Sequence, residues 1–143
     1  MEGTSVCQSN AILAMLAARY GALRGLASEW PTVLEWLSWE ANRVGFSVPN
    51  LRHALRWHAQ PQPVLDYLRE RAAADLARLD RELSASEFLV PSGVTIADLS
   101  CAGYLYWIHE AGLSLEPHAH VRRWLESIAE LPGWQHPDRA MRL

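Results

Sequence analysis

The chain has 143 residues, half of them apolar and a fifth charged, with a formal net charge of −3. This composition predicts a folded protein with a hydrophobic core rather than a disordered chain. No basic run marks a nucleic-acid-binding surface, and no apolar stretch approaches the roughly 18 residues of a membrane span. The first residues lack the basic and apolar regions of a signal peptide. We therefore expect a cytoplasmic protein that binds neither nucleic acid nor membrane.

The N-terminal part predicts a short strand followed by a helix. Residues 3–7 do not follow a helical period and are interpreted as a short strand or a frayed arm. A helix is predicted from Ser9, whose hydroxyl suits an N-cap, to Arg19. Gly21 follows where a C-cap glycine belongs.

The middle of the chain predicts a broken helix and then a long one. A helix is expected to begin near Pro31, to be interrupted at Gly45 and Pro49, and to resume at residues 50–58. After Pro63, leucines and alanines recur at steps of three or four, which is typical of an amphipathic helix.

Charged residues on that long helix are spaced for ion pairs across one helical turn. Arg71 with Asp75, and Arg78 with Glu82, stand at i and i+4. We interpret both pairs as exposed to solvent.

A second strong helix signal begins at Thr95. The Thr95 hydroxyl and the Asp98 carboxylate are spaced for a capping box, in which each accepts the backbone N–H of the other residue. The residues that follow, to about Ala111, are apolar nearly all round, so the helix is predicted to be central and buried. A last helix is expected from Pro117.

No metal site is predicted. The closest histidine pairs are His53 with His58 and His118 with His120, and neither pair has zinc-ligand spacing.

Four segments together resemble one family. Residues 8–13 (Gln-Ser-Asn-Ala-Ile-Leu) look like the segment that joins the glutathione-binding half of glutathione S-transferases to their helical half. Residues 94–98 resemble the family's capping box. Residues 36–43 resemble the fourth helix of many bacterial members, and residues 121–134 are similar to the family's last core helix and its end. The resemblance covers essentially the whole chain and implies an all-α, C-terminal-domain-like bundle of about five to seven helices.

The resemblance also implies a division of the chain. Residues 1–24 are expected to be a remnant of the family's thioredoxin-like domain, a strand end plus a helix, and residues 25–143 the helical domain. The thioredoxin-like domain supplies the family's catalytic Ser, Tyr or Cys, and most of it is expected to be absent. No catalytic residue can therefore be carried over.

Only Gln8 and Ser9 match the family's glutathione contacts. In relatives the serine helps hold the γ-glutamyl carboxylate, and a helix N-terminus favours an anion because of its free N–H groups and dipole. The alternative is that Ser9 is a plain N-cap. No cofactor is expected, with glutathione as the candidate cosubstrate.

Five residues are candidates for a hydrophobic substrate pocket: Trp36, Trp39, Arg43, Tyr104 and Trp107. Large pockets are mostly apolar and aromatic, and an arginine can steer an anionic ligand. The alternative for the tryptophans is core packing, and the alternative for Arg43 is a structural ion pair with Glu40 or another acid.

A side of the bundle is expected to need a partner. Without a thioredoxin-like domain, the apolar face formed by Ile12, Leu16, Leu99 and Tyr106 would lie open, and large open apolar faces are rare. We expect a homodimer or a partner protein to cover it. The function implied is a glutathione S-transferase-like protein with a ligand pocket, and transferase activity by this chain alone is not expected. The alternatives are an assembly module without catalysis and a fragment of a full-length transferase.

Overall fold

The computed structural model describes residues 5–142, which form an all-helical bundle. The elements in chain order are α1 (Ser9–Tyr20), a 3-10 turn (Ala27–Glu29), α2 (Trp30–Asn42), α3 (Val44–Arg56), α4 (Gln62–Leu83), α5 (Ile96–Ala102), a 3-10 segment (Leu105–Ala111), α6 (Ala119–Ala129) and α7 (Pro137–Ala140). The predicted all-α fold is confirmed. Of the two expectations for residues 3–7, the strand is wrong over residues 5–7, which are irregular as the alternative of an arm implies, and residues 3 and 4 lie outside the described part.

The break between α2 and α3 lies at Arg43, earlier than predicted. Arg43 has φ −122° and ψ −99°, which no helix accommodates. Pro49, where the interruption was expected, lies inside α3. Gly45 permits the turn, because a Cβ there would lie 2.9 Å from the Glu40 carbonyl oxygen and would overlap the Glu40 carboxylate.

The core is centred on α5, as predicted. Ile96, Ala97, Asp98, Cys101 and Ala102 are all buried. The helix ends earlier than the sequence indicated, because the chain tightens after Gly103 into the 3-10 segment, where Trp107 leaves helical geometry with φ −114° and ψ 20°.

The ion pairs predicted across the turns of α4 are wrong. Asp75 is fully buried and accepts a hydrogen bond from Arg43 Nε at 2.7 Å and another from the Ser47 hydroxyl at 2.9 Å. Arg78 pairs with Glu35 of α2 at 3.6 Å. Asp75 therefore connects α4 to the start of α3 and Arg78 connects α4 to α2, instead of lying along the surface of α4 itself.

The last core helix begins at Ala119, two residues after the predicted Pro117. Its first turn is capped from another helix, since Asp80 of α4 accepts the backbone N–H of His120 at 2.9 Å and that of Val121 at 3.2 Å. None of the helices in the described part of the chain combines the length and apolarity that crossing a membrane requires.

Candidate functional site

The N-terminus of α1 is uncapped. Gln8, with φ 73° and ψ 126°, occupies the N-cap position, and no side chain accepts a hydrogen bond from the first turn. The prediction that Ser9 is the N-cap is therefore wrong, because Ser9 is the first residue inside the helix. The first turn also carries no acidic residue. The N–H groups at the start of the helix thus have no intrahelical acceptor and give this end a partial positive charge.

A cleft of about 630 Å³ lies between this end of α1 and helix α2. Its polar lining includes Gln8, Ser9, Asn10, Glu40 and Tyr104. Alanine and leucine side chains from both helices, together with Ser38 and Gly45, form the rest of the wall, so the cleft offers both polar and apolar surface.

A second groove of about 480 Å³ lies on the other side of α1, against α5 and the 3-10 segment. It is mainly apolar, with Ile12, Leu13, Leu99 and Trp107 among its lining residues, and Ser9 and Tyr104 line both spaces. The indole N–H of Trp107 donates to Asp138 at 3.0 Å, which holds α7 beside the groove.

A buried polar network joins the two spaces. Asn10 donates its amide to the Glu40 carboxylate at 2.7 Å and to the Leu37 carbonyl at 2.9 Å, and it accepts the Ser100 hydroxyl at 2.6 Å. Burial, together with the negative charge of Glu40, raises the pKa of Tyr104 above that of a free tyrosine. The Tyr104 phenol is therefore protonated at neutral pH.

The structure brings Tyr104 and Trp107 to the groove but not the other three pocket candidates. Trp36 and Trp39 are buried in the core, edge to face with ring centroids 5.2 Å apart, and the Arg78 guanidinium lies 5.1 Å from each ring. Arg43 forms the ion pair with Asp75. None of the three lines the two spaces beside α1.

The capping box at Thr95 is present as predicted. Asp98 accepts the Thr95 backbone N–H at 2.8 Å, and the Thr95 hydroxyl accepts the first-turn N–H of Ala97 at 3.2 Å. Asp98 also accepts the Trp124 indole N–H at 2.9 Å. Burial raises the pKa of Asp98, opposed by these hydrogen bonds. These two residues have a structural role and stand apart from the grooves.

Asn10 and Glu40 are the residues that sequence reasoning missed. Glu40 lies near the C-terminal end of the apolar helix α2, on the same buried side as Trp36 and Leu37. A charge in such a position needs a polar partner, and that signal was available in the sequence. Within residues 5–142, no cluster of histidine, cysteine and acidic residues is arranged to hold a metal ion.

The fold and sequence match glutathione S-transferases. The family pattern described as "Glutathione S-transferase, C-terminal domain" matches residues 50–127. Glutathione S-transferase GstB of Escherichia coli K12 is 25% identical over 137 residues, which cover 88% of this chain and 64% of that protein. The chain thus spans less than two thirds of this curated relative.

Solved structures give the same result. A glutathione S-transferase from Xanthobacter autotrophicus Py2 superposes with a TM-score of 0.86 and 29% identity, covering 99% of this chain and 71% of that one. A glutathione S-transferase from Pseudomonas fluorescens Pf-5 superposes with a TM-score of 0.85 and 24% identity, covering 92% of this chain and 67% of that one. At this identity it supports the fold alone. Since the family pattern spans more than half of the sequence, this chain belongs to the glutathione S-transferase C-terminal domain family.

Proposed function

We propose that this domain binds glutathione or a glutathione conjugate, with the γ-glutamyl carboxylate at the N-terminus of α1. The observation that carries the proposal is the uncapped first turn, which has no acidic residue and opens into the 630 Å³ cleft. An anion there gains hydrogen bonds from free N–H groups and a favourable interaction with the helix dipole. Gln8 and Ser9 are the side chains that would contact it.

The apolar part of the ligand would lie in the groove beside α5. Leu13, Leu99 and Trp107 supply apolar and aromatic surface, and Tyr104 stands between this groove and the carboxylate site. A conjugate that carries a carboxylate and an apolar thioether group would therefore span the start of α1. Trp36, Trp39 and Arg43 would affect binding only through the packing of α2.

Conjugation needs an ionised thiol, and we propose that this chain does not generate one alone. Cys7, which stands just before α1, and Tyr104 are the groups that the sequence offers for this chemistry. Burial and the charge of Glu40 raise the pKa of Tyr104, which disfavours the phenolate that would take the thiol proton. The relatives are named as transferases, and we propose that activity here only as an inherited property that depends on groups outside residues 5–142.

Calorimetry with S-hexylglutathione tests this proposal. We expect wild-type binding, and several-fold weaker binding for Ser9→Ala. Ser38→Ala is the matched control, because the Ser38 hydroxyl lines the same cleft but donates to the Leu34 carbonyl at 2.8 Å. Failure of the wild type to bind at millimolar ligand would reject the proposal. An assay with glutathione and a chromogenic electrophile should give no turnover above the uncatalysed rate.

A second candidate function is assembly. Ile12 and Leu16 on α1 are 38% and 39% exposed, and Tyr20 and Leu26 beyond them are more exposed still, while Leu99 and Tyr106 of the expected face are half-buried. We propose that a second copy or another protein covers this side. We also propose that residues 1–24 derive from a thioredoxin-like domain and that residues 25–143 form the helical domain. Light scattering at micromolar concentration should give a dimer that Leu16→Asp converts to monomer. A monodisperse wild-type monomer would reject the assembly function and leave ligand binding by a single copy as the remaining proposal.

A further inference from the structure

Glu40 is a buried carboxylate for which the protein provides no cation. It is 2% exposed, yet it lines the cleft between α1 and α2. In residues 5–142 it takes part in no ion pair. Burying an unpaired carboxylate is costly unless something compensates for its lost hydration.

The orientation of this carboxylate is fixed by its surroundings. Asn10 donates to one oxygen at 2.7 Å, and Asn10 is itself held by the Leu37 carbonyl and the Ser100 hydroxyl. The other oxygen lies against Gly45, where any larger residue would displace it. A neutral amide therefore holds the group, and a carboxylate can accept more hydrogen bonds than this one donor supplies.

The arginines on neighbouring helices are committed elsewhere. Arg43 pairs with Asp75 at 2.7 Å. Arg78 pairs with Glu35 at 3.6 Å and lies over the ring of Trp36. Neither guanidinium is positioned to neutralise Glu40, so the unmet demand for positive charge faces the cleft.

We propose that Glu40 is the recognition group for the ammonium group of an organic amine bound in the α1–α2 cleft. A primary ammonium has three donors in a compact charge, which suits a carboxylate that lines a cleft. The body of the amine would pack on the apolar side chains of Ala11, Ala14, Leu34, Leu37 and Ala41. This site does not require glutathione, because the amine is recognised by the Glu40 carboxylate and not by the free backbone N–H groups of α1.

The test compares a cation with its neutral counterpart. 3-Phenylpropylammonium and 3-phenylpropan-1-ol differ mainly in charge and are titrated into wild type, Glu40→Gln and Glu35→Gln. Glu35 is the matched control, since it lies on the same helix but is exposed and paired with Arg78. We expect wild type and Glu35→Gln to prefer the ammonium compound by about tenfold or more, as a charge-assisted hydrogen bond predicts, and Glu40→Gln to lose that preference.

Two results would overturn the proposal: equal affinity of wild type for both probes, including no binding of either, or a preference that survives in Glu40→Gln. A measurement on wild type alone guards against a variant that does not fold. The ¹³C carboxyl resonance of Glu40 should shift with the ammonium probe and not with the alcohol. S-hexylglutathione carries an ammonium group of its own and enters the same cleft. The glutathione proposal is therefore judged by Ser9→Ala and the amine proposal by Glu40→Gln with the two phenylpropyl probes, so either idea can fail without the other.

Discussion

Asp98 connects three parts of the bundle, and its replacement gives the sharpest test of the fold. One carboxylate oxygen accepts the Leu89 backbone N–H and the Trp124 indole N–H, both at 2.9 Å. The other accepts the Thr95 backbone N–H at 2.8 Å and the Thr95 hydroxyl at 3.0 Å. The loop before α5, the start of α5 and the middle of α6 thus share one buried acceptor.

The cost of Asp98→Ala follows from the donors that it would leave without a partner. The N–H groups of Leu89, Thr95 and Trp124 all donate buried hydrogen bonds to Asp98. Each buried donor without an acceptor costs about 1–3 kcal/mol, so the three together should cost about 3–9 kcal/mol. Thr95→Ala removes the N-cap acceptor and one hydroxyl donor to Asp98, while Leu89 and Trp124 keep their acceptor, and it should cost about 1–2 kcal/mol.

Guanidinium chloride unfolding, followed by tryptophan fluorescence, measures both variants. We expect the midpoint of Asp98→Ala to fall clearly below that of Thr95→Ala, with an unchanged denaturant slope. If Asp98→Ala cost no more than Thr95→Ala, Asp98 would be an ordinary capping residue and its links to the loop and to α6 would carry no stability.

The same residue sets a pH dependence. Burial raises the folded-state pKa of Asp98 above its ordinary value of 3.8, so the folded protein binds a proton where the unfolded chain has released it. This contribution to stability is complete below the unfolded pKa and is lost as the pH rises through the folded pKa. The unfolding free energy of wild type relative to Asp98→Asn should therefore fall as the pH rises above 3.8. A difference that rises with pH would contradict the assignment.

Two further substitutions test the junction of α2, α3 and α4. Gly45→Ala should destabilise the protein by about 1–3 kcal/mol, because the added methyl group would collide with Glu40. This loss should outweigh the better helix propensity of alanine, and thermal unfolding measures the net change in stability. Gly103→Ala, with 3.5 Å to its nearest neighbour, is the control and should be nearly neutral. Asp75→Ala should cost about 2–3 kcal/mol because it breaks a buried ion pair, while Glu35→Ala, on an exposed pair, should cost under about 1 kcal/mol in urea unfolding. Equal losses for the two acids would refute the buried role of Asp75.

The predictions that succeeded rest on interactions within a single turn. The capping box at Thr95 needs only residues three apart, and the C-cap of α1 needs only Gly21, which has the expected left-handed φ of 64°. Local geometry fixes such features before any tertiary contact forms. Their order along the chain was also sufficient for the family resemblance.

The predictions that failed depend on contacts between distant segments. Asp75 lies one turn from Arg71, yet it pairs with Arg43, which is 32 positions away, because the close approach of α3 and α4 buries it. The helix break moved to Arg43 since Gly45 allows α3 to start against Glu40. The network of Asn10, Glu40 and Ser100 could not be assembled from sequence, because it requires knowing that the start of α1 contacts both α2 and α5.

The central claim is that the two spaces beside the start of α1 form one ligand site. Titration of ¹⁵N-labelled protein with S-hexylglutathione tests it most directly. We predict that the backbone amides of residues 8–11 and the indole N–H of Trp107 shift together with one dissociation constant. Saturation of the ligand with no change at these positions, or with changes confined to another part of the bundle, would contradict the account.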